Sequence, residues 1–416
     1  LSAGTVPLIA CFNCDLLQVM EPLAANTRAE CARCGAVLYG EKGATIERTF
    51  ALYLAAGVLF LLANAYPFLT LSMQGLVQSG YLAASAVALW RQGMPEVAIV
   101  IAFFVIIAPM VRIAAGLAVL GPLTFGYRPP WLAPAMHMMH AMKEWAMPEV
   151  FVLGVLVSYV KLAGLASAHF DVSFYAFVAM TVMLSWAQVA FEPHVVWDTL
   201  RPMSRYPPPD AAERRRLVSC HACGLICDIG AAEHGHCPRC GAAVHRRKRD
   251  SLNRALALVI AAAIFYVPAN ALPVMTIVFL GTGSPATILG GVVELIDYGD
   301  WPLAALIFFA SVTVPLAKLV SLLYLILSVK SRSRFRPRQR TFLFRLVEGV
   351  GRWSMIDVFV VGLLTSLVQF GSLSVIEPGA GAVYFCGVVV VTIFAAIAFD
   401  PRLIWDAAGE NDDRLP

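Results

Sequence analysis

Charge is scarce in this chain. Asp, Glu, Lys and Arg make up 14% of its 416 residues against 59% hydrophobic residues, whereas soluble domains carry nearer a quarter charged. That scarcity excludes one large soluble core, and with a mean hydropathy of +0.73 it implies a polytopic membrane protein. Catalytic signatures are missing as well. The absence of G-x-x-x-x-G-K-[ST] excludes a P-loop nucleotide pump within the chain. Neither H-E-x-x-H nor a G-x-S-x-G elbow occurs, and nothing else points to an enzyme. No recognition module accompanies the basic run 330–340, so nucleic acid is not an expected partner; the run reads as a binder of anionic lipid heads. Residues 1–10 lack a basic region, so no signal peptide is expected, and Leu1 reads as the residue after an omitted initiator Met.

What is present is duplicated. "FLLANAYPFLTL" (60–71) aligns with "FYVPANALPVMTI" (265–277), placing Asn64-Ala65-Tyr66-Pro67 on Asn270-Ala271-Leu272-Pro273 at an offset of 206. Pro109 then pairs with Pro315 and Arg112 with Lys318. At an offset of 208, "WAMPEVFVLG" (145–154) matches "WSMIDVFVVG" (353–362) and "FEPHVVWD" (191–198) matches "FDPRLIWD" (399–406). Eight apolar segments read as spans, four per copy: about 50–70, 95–120, 148–168, 172–192, 254–280, 302–328, 355–375 and 381–400. The short gap before the last span of each copy implies a hairpin of antiparallel helices. Between spans, "YLAASAVALWRQG" (81–93) and "PATILGGVVELIDYGD" (285–300) read as short amphipathic elements at the interface.

The cations take sides. With Arg254 counted at the mouth of its span, the segments flanking the odd-numbered entries and the tails hold 27 of the 31 Lys and Arg. That asymmetry places both termini, the central linker and the 330–340 loop in the cytoplasm, and an even number of spans per copy inserts both copies the same way up.

Each copy is preceded by paired cysteines: Cys11 and Cys14 with Cys31 and Cys34, then Cys220 and Cys223 with Cys237 and Cys240. Two C-x2-C pairs at this spacing make a tetrahedral four-thiolate site of the ribbon type. Zinc is the first expectation, one structural ion per ribbon with no open coordination position, and iron the second. Disulfides conflict with a reducing compartment; a redox-sensing role stays open. Each ribbon is expected to dock on its own bundle or on a partner. Cys227, His221, His234, His236 and His245 read as surface residues of a small ribbon, and Cys386 as a core residue. The resulting units are a ribbon at 1–48, a four-helix module at 49–200, a ribbon at 215–250 and a module at 251–408.

Ionisable groups inside spans are expensive and so are functional candidates. Lys318 lies about 18 Å from the inner end of its span at helical rise, with Arg112 its counterpart. Asp357 and Glu149 correspond in the third spans, and Lys161 lies near the middle of its span opposite Gln369. Lys318 is expected to approach Asp357, and Arg112 to approach Glu149, either as structural ion pairs or as transport residues. Pro268 and Pro273 free backbone groups near the outer end of their helix, and Asn270 and Asn64 are placed to bond them. That break reads as a capped kink or as an opening toward the outer leaflet. Pro109 and Pro315 read as hinges in the second helices.

Two four-cysteine ribbons, two sets of four spans, "ANAYP"/"ANALP" in the first helix and "MPEVF"/"MIDVF" in the third resemble the paraquat-inducible protein A family (PqiA and LetA-like proteins) from Cys11 to Asp406. The resemblance implies a bacterial inner-membrane protein that works with an MCE-domain periplasmic tunnel protein to move phospholipids between membranes. It also implies zinc ribbons, tetraspanin- or TARP-like helical modules with a small sheet on the outer side, and a transport role for Lys161, Lys318 and Asp357. A non-transporting scaffold for the tunnel and a zinc- or redox-responsive sensor remain alternatives.

Overall fold

The computed structural model describes residues 6–24, 27–40, 46–73, 76–162, 167–203, 205–206, 216–228, 235–279, 282–297, 299–369 and 374–409. The chain begins with two antiparallel hairpins, β1 (Val6–Ala10) with β2 (Leu17–Val19) and β3 (Arg28–Glu30) with β4 (Val37–Gly40). The first copy then runs α1 (Ile46–Ala65), β5 (Leu69–Met73), β6 (Leu76–Gly80), α2 (Ala84–Arg91), α3 (Pro95–Ala102), α4 (Ala108–Thr124), α5 (Leu132–Lys143), α6 (Pro148–Leu162), β7 (Ser167–Phe170), α7 (Val172–Ala190) and α8 (Pro193–Leu200). After β8 (Arg205–Tyr206), β9 (Leu217–Ser219) and β10 (Ile226–Asp228), the order repeats. It gives α9 (Ser251–Ala271), β11 (Met275–Phe279), β12 (Thr282–Ala286), α10 (Ile288–Asp297), α11 (Trp301–Phe308), α12 (Val314–Lys330), α13 (Pro337–Val350), α14 (Ile356–Leu367), β13 (Ser374–Pro378), α15 (Ala380–Ala398) and α16 (Arg402–Ala408).

Seven of the described helical stretches are long and apolar enough to cross a membrane. The first copy's third segment is not among them, while the second copy's belongs to the stretch Pro337–Leu367, of which α14 is only the last part. Helix α6 has 15 residues and α14 has 12, about 22 and 18 Å at 1.5 Å per residue, short of a hydrocarbon core of about 30 Å. The chain turns to strand instead of continuing as helix. In each copy the strand after the first helix is the centre of a three-stranded antiparallel sheet, order β6-β5-β7 and β12-β11-β13. Leu69 thus faces both Gly80 and Phe170, and Met275 faces both Ala286 and Pro378. Strand pairing satisfies the backbone groups that the short helix leaves unbonded. The last two helices of each copy are therefore joined through an edge strand. Residues 163–166 and 370–373 lie outside the described residues.

The proline breaks resolve in two ways. Helix α1 ends at Ala65 and α9 at Ala271, and the following Pro67 and Pro273 start the run into the central strand. Pro268 is accommodated within α9. Asn64 Nδ2 donates to Phe60 O at 2.8 Å and Asn270 Nδ2 to Tyr266 O at 2.9 Å, so each asparagine bonds a carbonyl of its own last turn. Pro109 and Pro315 do not break their helices. Each follows a five-residue π-helical turn, Phe103–Ile107 and Phe309–Thr313, and a widened turn absorbs the carbonyl that a proline ring displaces.

The run-out after α9 fixes a close approach. Gly381 N, in the first turn of α15, donates to Pro273 O at 2.9 Å. A Cβ on Gly381 would stand 2.6 Å from Leu272 O and 2.9 Å from Pro273 O, both backbone atoms. Gly381→Ala is therefore expected to destabilise by about 1–3 kcal/mol and to lower the thermal midpoint in detergent. Gly349→Ala, where nothing lies within 4 Å of the added atom, should leave it in place. Equal midpoints for the two variants would remove this approach from the account of the fold.

The copies pack on each other through their third helices. Phe359 of α14 lies against Gly154 of α6, where a Cβ would stand 3.1 Å from the Phe359 Cβ, and the Phe151 and Phe359 rings are 5.4 Å apart. The opposite face of α14 takes α2, α3 and the end of β6 from the first copy: a Cβ on Gly362 would meet Ile101 and Leu89, and one on Gly80 would meet Leu367. Eleven of the twelve α14 residues are buried, Asp357 excepted. Both elements expected to be amphipathic, within 81–93 and 285–300, contain a helix, α2 and α10.

Candidate metal centres and intramembrane polar groups

The eight cysteines form two clusters. Cys11 Sγ is 3.5 Å from Cys34 Sγ, and Cys14 Sγ is 3.4 Å from Cys31 Sγ. In the second ribbon the Cys220–Cys240 and Cys223–Cys237 separations are both 3.6 Å. All four sulfurs of each set lie within 4.8 Å of one another, and every cysteine is free. A disulfide needs about 2.05 Å, while a tetrahedron of thiolates at about 2.3 Å from a metal places sulfurs about 3.8 Å apart. The donor set fits a tetrahedral metal ion. Neighbouring thiols donate into Cys34 and Cys220, chiefly Cys11 and Cys223, and draw them down to about 7, while Cys14 and Cys223 are pushed up by the same sharing. Without a cation the four sulfurs of a cluster cannot all ionise; a dication removes that conflict.

The local chain is built for the task. In each knuckle an amide turns back onto the first cysteine's carbonyl: Asp15 N to Cys11 O, Gly35 N to Cys31 O, Gly224 N to Cys220 O and Gly241 N to Cys237 O. All four donors have positive φ, which suits glycine at three positions and leaves Asp15 free to use its carboxylate elsewhere. Of the spare ligands, His221, His236 and His245 are exposed as expected, but Cys227 is buried, beside Cys237, and is not a surface residue. Cys227 Sγ meets Leu225 O, and His221 Nε2 is paired with His245 O at 3.2 Å, its pKa lowered chiefly by desolvation. His234 lies outside the described residues.

Each ribbon packs mainly on the other copy's helices, with ties to its own: Leu38 of the first ribbon bonds His194, and Arg247 of the second reaches Asp406. Arg239 of the second ribbon binds Asp198 and donates Nε to Trp197 O at 3.1 Å, and Arg201 donates to Pro238 O at 2.8 Å. All these receptors belong to the first copy. Reciprocally, Arg33 of the first ribbon lies over the Trp405 ring at 5.3 Å. Arg345 donates to Cys34 O at 2.9 Å and to Gly35 O at 3.3 Å, and Arg402 to Phe12 O at 3.2 Å. Arg247, on the exit from the second ribbon, ties the assembly together through Asp406 at 2.6 and 2.8 Å and Asp15 at 2.6 Å. Trp197-Asp198 and Trp405 are thus receptors for exchanged ribbons, whereas Asp406, the counterpart of Asp198, takes Arg247 from the ribbon of its own copy. Their repetition is visible in the sequence; their use is not.

Within the helices, both cations of the second spans are buried, Arg112 at 2% and Lys318 at 3% exposure. Neither reaches the carboxylate expected for it. Lys318 Nζ donates to Thr392 Oγ1 at 3.0 Å and to Gly351 O at 3.4 Å. With its amide oxygen turned inward, Gln188 accepts from both terminal nitrogens of Arg112 at 2.8 and 2.9 Å. The side-chain partners are therefore neutral groups on the fourth long helix of each copy, α7 and α15. Among the described residues no ion pair joins Lys318 to Asp357 or Arg112 to Glu149; both carboxylates are half-buried at the starts of α14 and α6. A charge-type pattern finds acids first, and nothing in it singles out Gln188 or Thr392. The Lys161 side chain lies outside what the structure describes.

The whole chain has relatives. The family profile for Paraquat-inducible protein A matches residues 46–201 and 252–409. The chain is 34% identical over 97% of both lengths to a protein named intermembrane transport protein PqiA of Escherichia coli K12. It is 28% identical to the lipophilic envelope-spanning tunnel protein A of the same strain, over 97% of this chain and 92% of that one. It is also 26% identical to a probable intermembrane transport protein of Haemophilus influenzae, over 97% of both. No solved structure matches. With two metal-ready ribbons, a duplicated helical core and this similarity from end to end, the chain is a multi-pass membrane protein that belongs to the paraquat-inducible protein A family.

Proposed function

We propose that this protein is the membrane-embedded component of an envelope lipid transport system. It passes phospholipid between the inner membrane and a periplasmic tunnel formed by an MCE-domain protein, and it carries no enzymatic chemistry of its own. Each copy crosses the membrane four times, with α6 and α14 running up to the sheets at the outer surface. The ribbons and both termini face the cytoplasm, each ribbon holding one structural zinc, and the sheets face the tunnel. The four units keep the boundaries 1–48, 49–200, 215–250 and 251–408. The names of the relatives support this reading: one is an intermembrane transport protein and another is named for an envelope-spanning tunnel.

The observation that carries it is Lys318. A cation buried in a membrane helix, with only neutral acceptors among the described residues, is electrostatically incomplete, and an anionic headgroup completes it. Asp357, half-buried at the start of α14, is the group whose protonation drives the cycle. The test is a diazirine amino acid at position 322, which is fully buried, with position 320, 59% exposed, as the lipid-facing control. Phospholipid adducts at 322 that disappear in Lys318→Met support the path. Adducts confined to 320 in every variant would leave a scaffold that anchors the tunnel and moves nothing.

A further inference from the structure

The exchange of ribbons leaves a gap. The second ribbon is held on the first copy through Arg239 and Arg201, and on its own copy through its exit, Arg247 on Asp406 and Lys248 on the end of α15. Between the ribbon and its own helices, α9 and α15, lies a cavity of about 740 Å³ lined by His236 and Val244 of the ribbon, Lys248 and Arg249 of its exit, Arg254 in the first turn of α9, and Ile397 near the end of α15. Among the described residues no carboxylate lines it.

The cations around it are unequally committed. Arg247 is spent on Asp406 and Asp15. Lys248 closes the end of α15, donating Nζ to Ile397 O at 2.6 Å and Phe399 O at 3.3 Å. Arg249 and Arg254 are exposed, and neither guanidinium has an ion-pair or hydrogen-bond partner among the described residues. The first copy shows the same position satisfied: Arg48, the counterpart of Arg254, lies over the Trp186 ring at 5.4 Å. The second copy has Phe394 at the position of Trp186, and no described ring takes Arg254. The cavity opens where α9 and α15 leave the membrane on the ribbon side. Ile397 lines it at 43% exposure, and Phe394, one turn earlier on α15 with its ring against Trp145, is 45% exposed, as apolar surface for chains attached to whatever the arginines hold.

We infer that this cavity is a phosphate site for an anionic phospholipid of the ribbon-side leaflet, with Arg249 and Arg254 on the headgroup phosphate and the acyl chains along Phe394 and Ile397. It is a fixed headgroup site, separate from the intramembrane Lys318, and it does not rest on the transport reading, because binding is measured on the isolated protein. A phosphodiester fits because two guanidinium forks match its oxygens in pairs. Inorganic phosphate offers the same oxygens, so the experiment separates the two sources.

The full chain in detergent is titrated with phosphatidylglycerol, phosphatidylcholine or inorganic phosphate and read by native mass spectrometry and thermal shift. Arg249→Gln with Arg254→Gln is compared with Arg332→Gln and Arg334→Gln, which remove the same charge from the other basic loop, where both residues are exposed. The expected result is phosphatidylglycerol retention over phosphatidylcholine that falls about tenfold to thirtyfold in the cavity variant and little in the loop variant. A thermal shift by inorganic phosphate alone, lost only in the cavity variant, also supports the site and assigns it to free phosphate. Equal losses in both variants, or no preference for either phosphate ligand, overturn it.

Discussion

Cys220→Ser combined with Cys240→Ser is expected to halve the bound metal and to loosen the first copy, not the second. The magnitude comes from the strength of a structural site: apparent binding free energies of about 10–16 kcal/mol for zinc in small domains, far more than a ribbon of short hairpins gains from its own core. With two of four thiolates gone, the second ribbon loses its fold. Its grip goes with it, because Arg239 reaches Asp198 and Trp197 O only from the knuckle between Cys237 and Cys240. Metal analysis of the purified chain reads the first effect. Hydrogen exchange reads the second: α5 and α8, which border the Trp197 receptor, should lose protection while α13, held by the first ribbon through Arg345, keeps its own. The mirror variant, Cys11→Ser with Cys34→Ser, should reverse the pattern, exposing α13 and α16 where Arg345 and Trp405 meet the first ribbon. Loss of protection within each ribbon's own copy would refute the exchange. Unchanged metal content would refute the tetrahedral sites.

The exchange marks a boundary in what a linear sequence can convey. The clusters are legible because ligand spacing is local: two cysteines two residues apart share one turn, and Gly35, Gly224 and Gly241 supply the positive φ that such a turn needs. The duplication and the long helices are legible for the same reason. The receptor for each ribbon is not, because Trp197-Asp198 and Trp405-Asp406 are nearly the same motif and either could accept Arg33 or Arg239. Hydropathy overextends the third helix of each copy, because apolar content continues past Leu162 and Leu367. It carries no sign that β5 and β11 are there to pair with the next segments, β7 and β13. The sheet expected on one side of each module comes through family resemblance, and the structure has one in each copy.

Lys318→Met is expected to leave the fold at least as stable as before while abolishing phospholipid capture in the membrane interior. The two halves of that result separate a working residue from a structural one. Lys318 has three donor hydrogens and two acceptors, Thr392 Oγ1 and Gly351 O, with no carboxylate in ion-pair reach among the described residues. Desolvating an ammonium costs several kcal/mol, and two neutral acceptors return only part of it. A methionine of similar length removes that cost, and buried charges replaced by apolar groups are often neutral or stabilising by about 1–4 kcal/mol. A residue retained for stability would behave in the opposite way. Arg112 provides the internal comparison, since Gln188 takes both of its terminal nitrogens at 2.8 and 2.9 Å. Arg112→Met strands that amide and should cost about 1–3 kcal/mol with a smaller effect on lipid capture. The measurements are thermal midpoints in detergent and adduct yield at position 322 for both variants, with Lys318→Arg as the charge-preserving control. A lower midpoint for Lys318→Met with adducts retained would make this lysine a brace between α12 and α15. A steady or raised midpoint with adduct yield down tenfold or more would place the anionic headgroup at its ammonium, and would mark the second copy, not the first, as the half that holds the lipid.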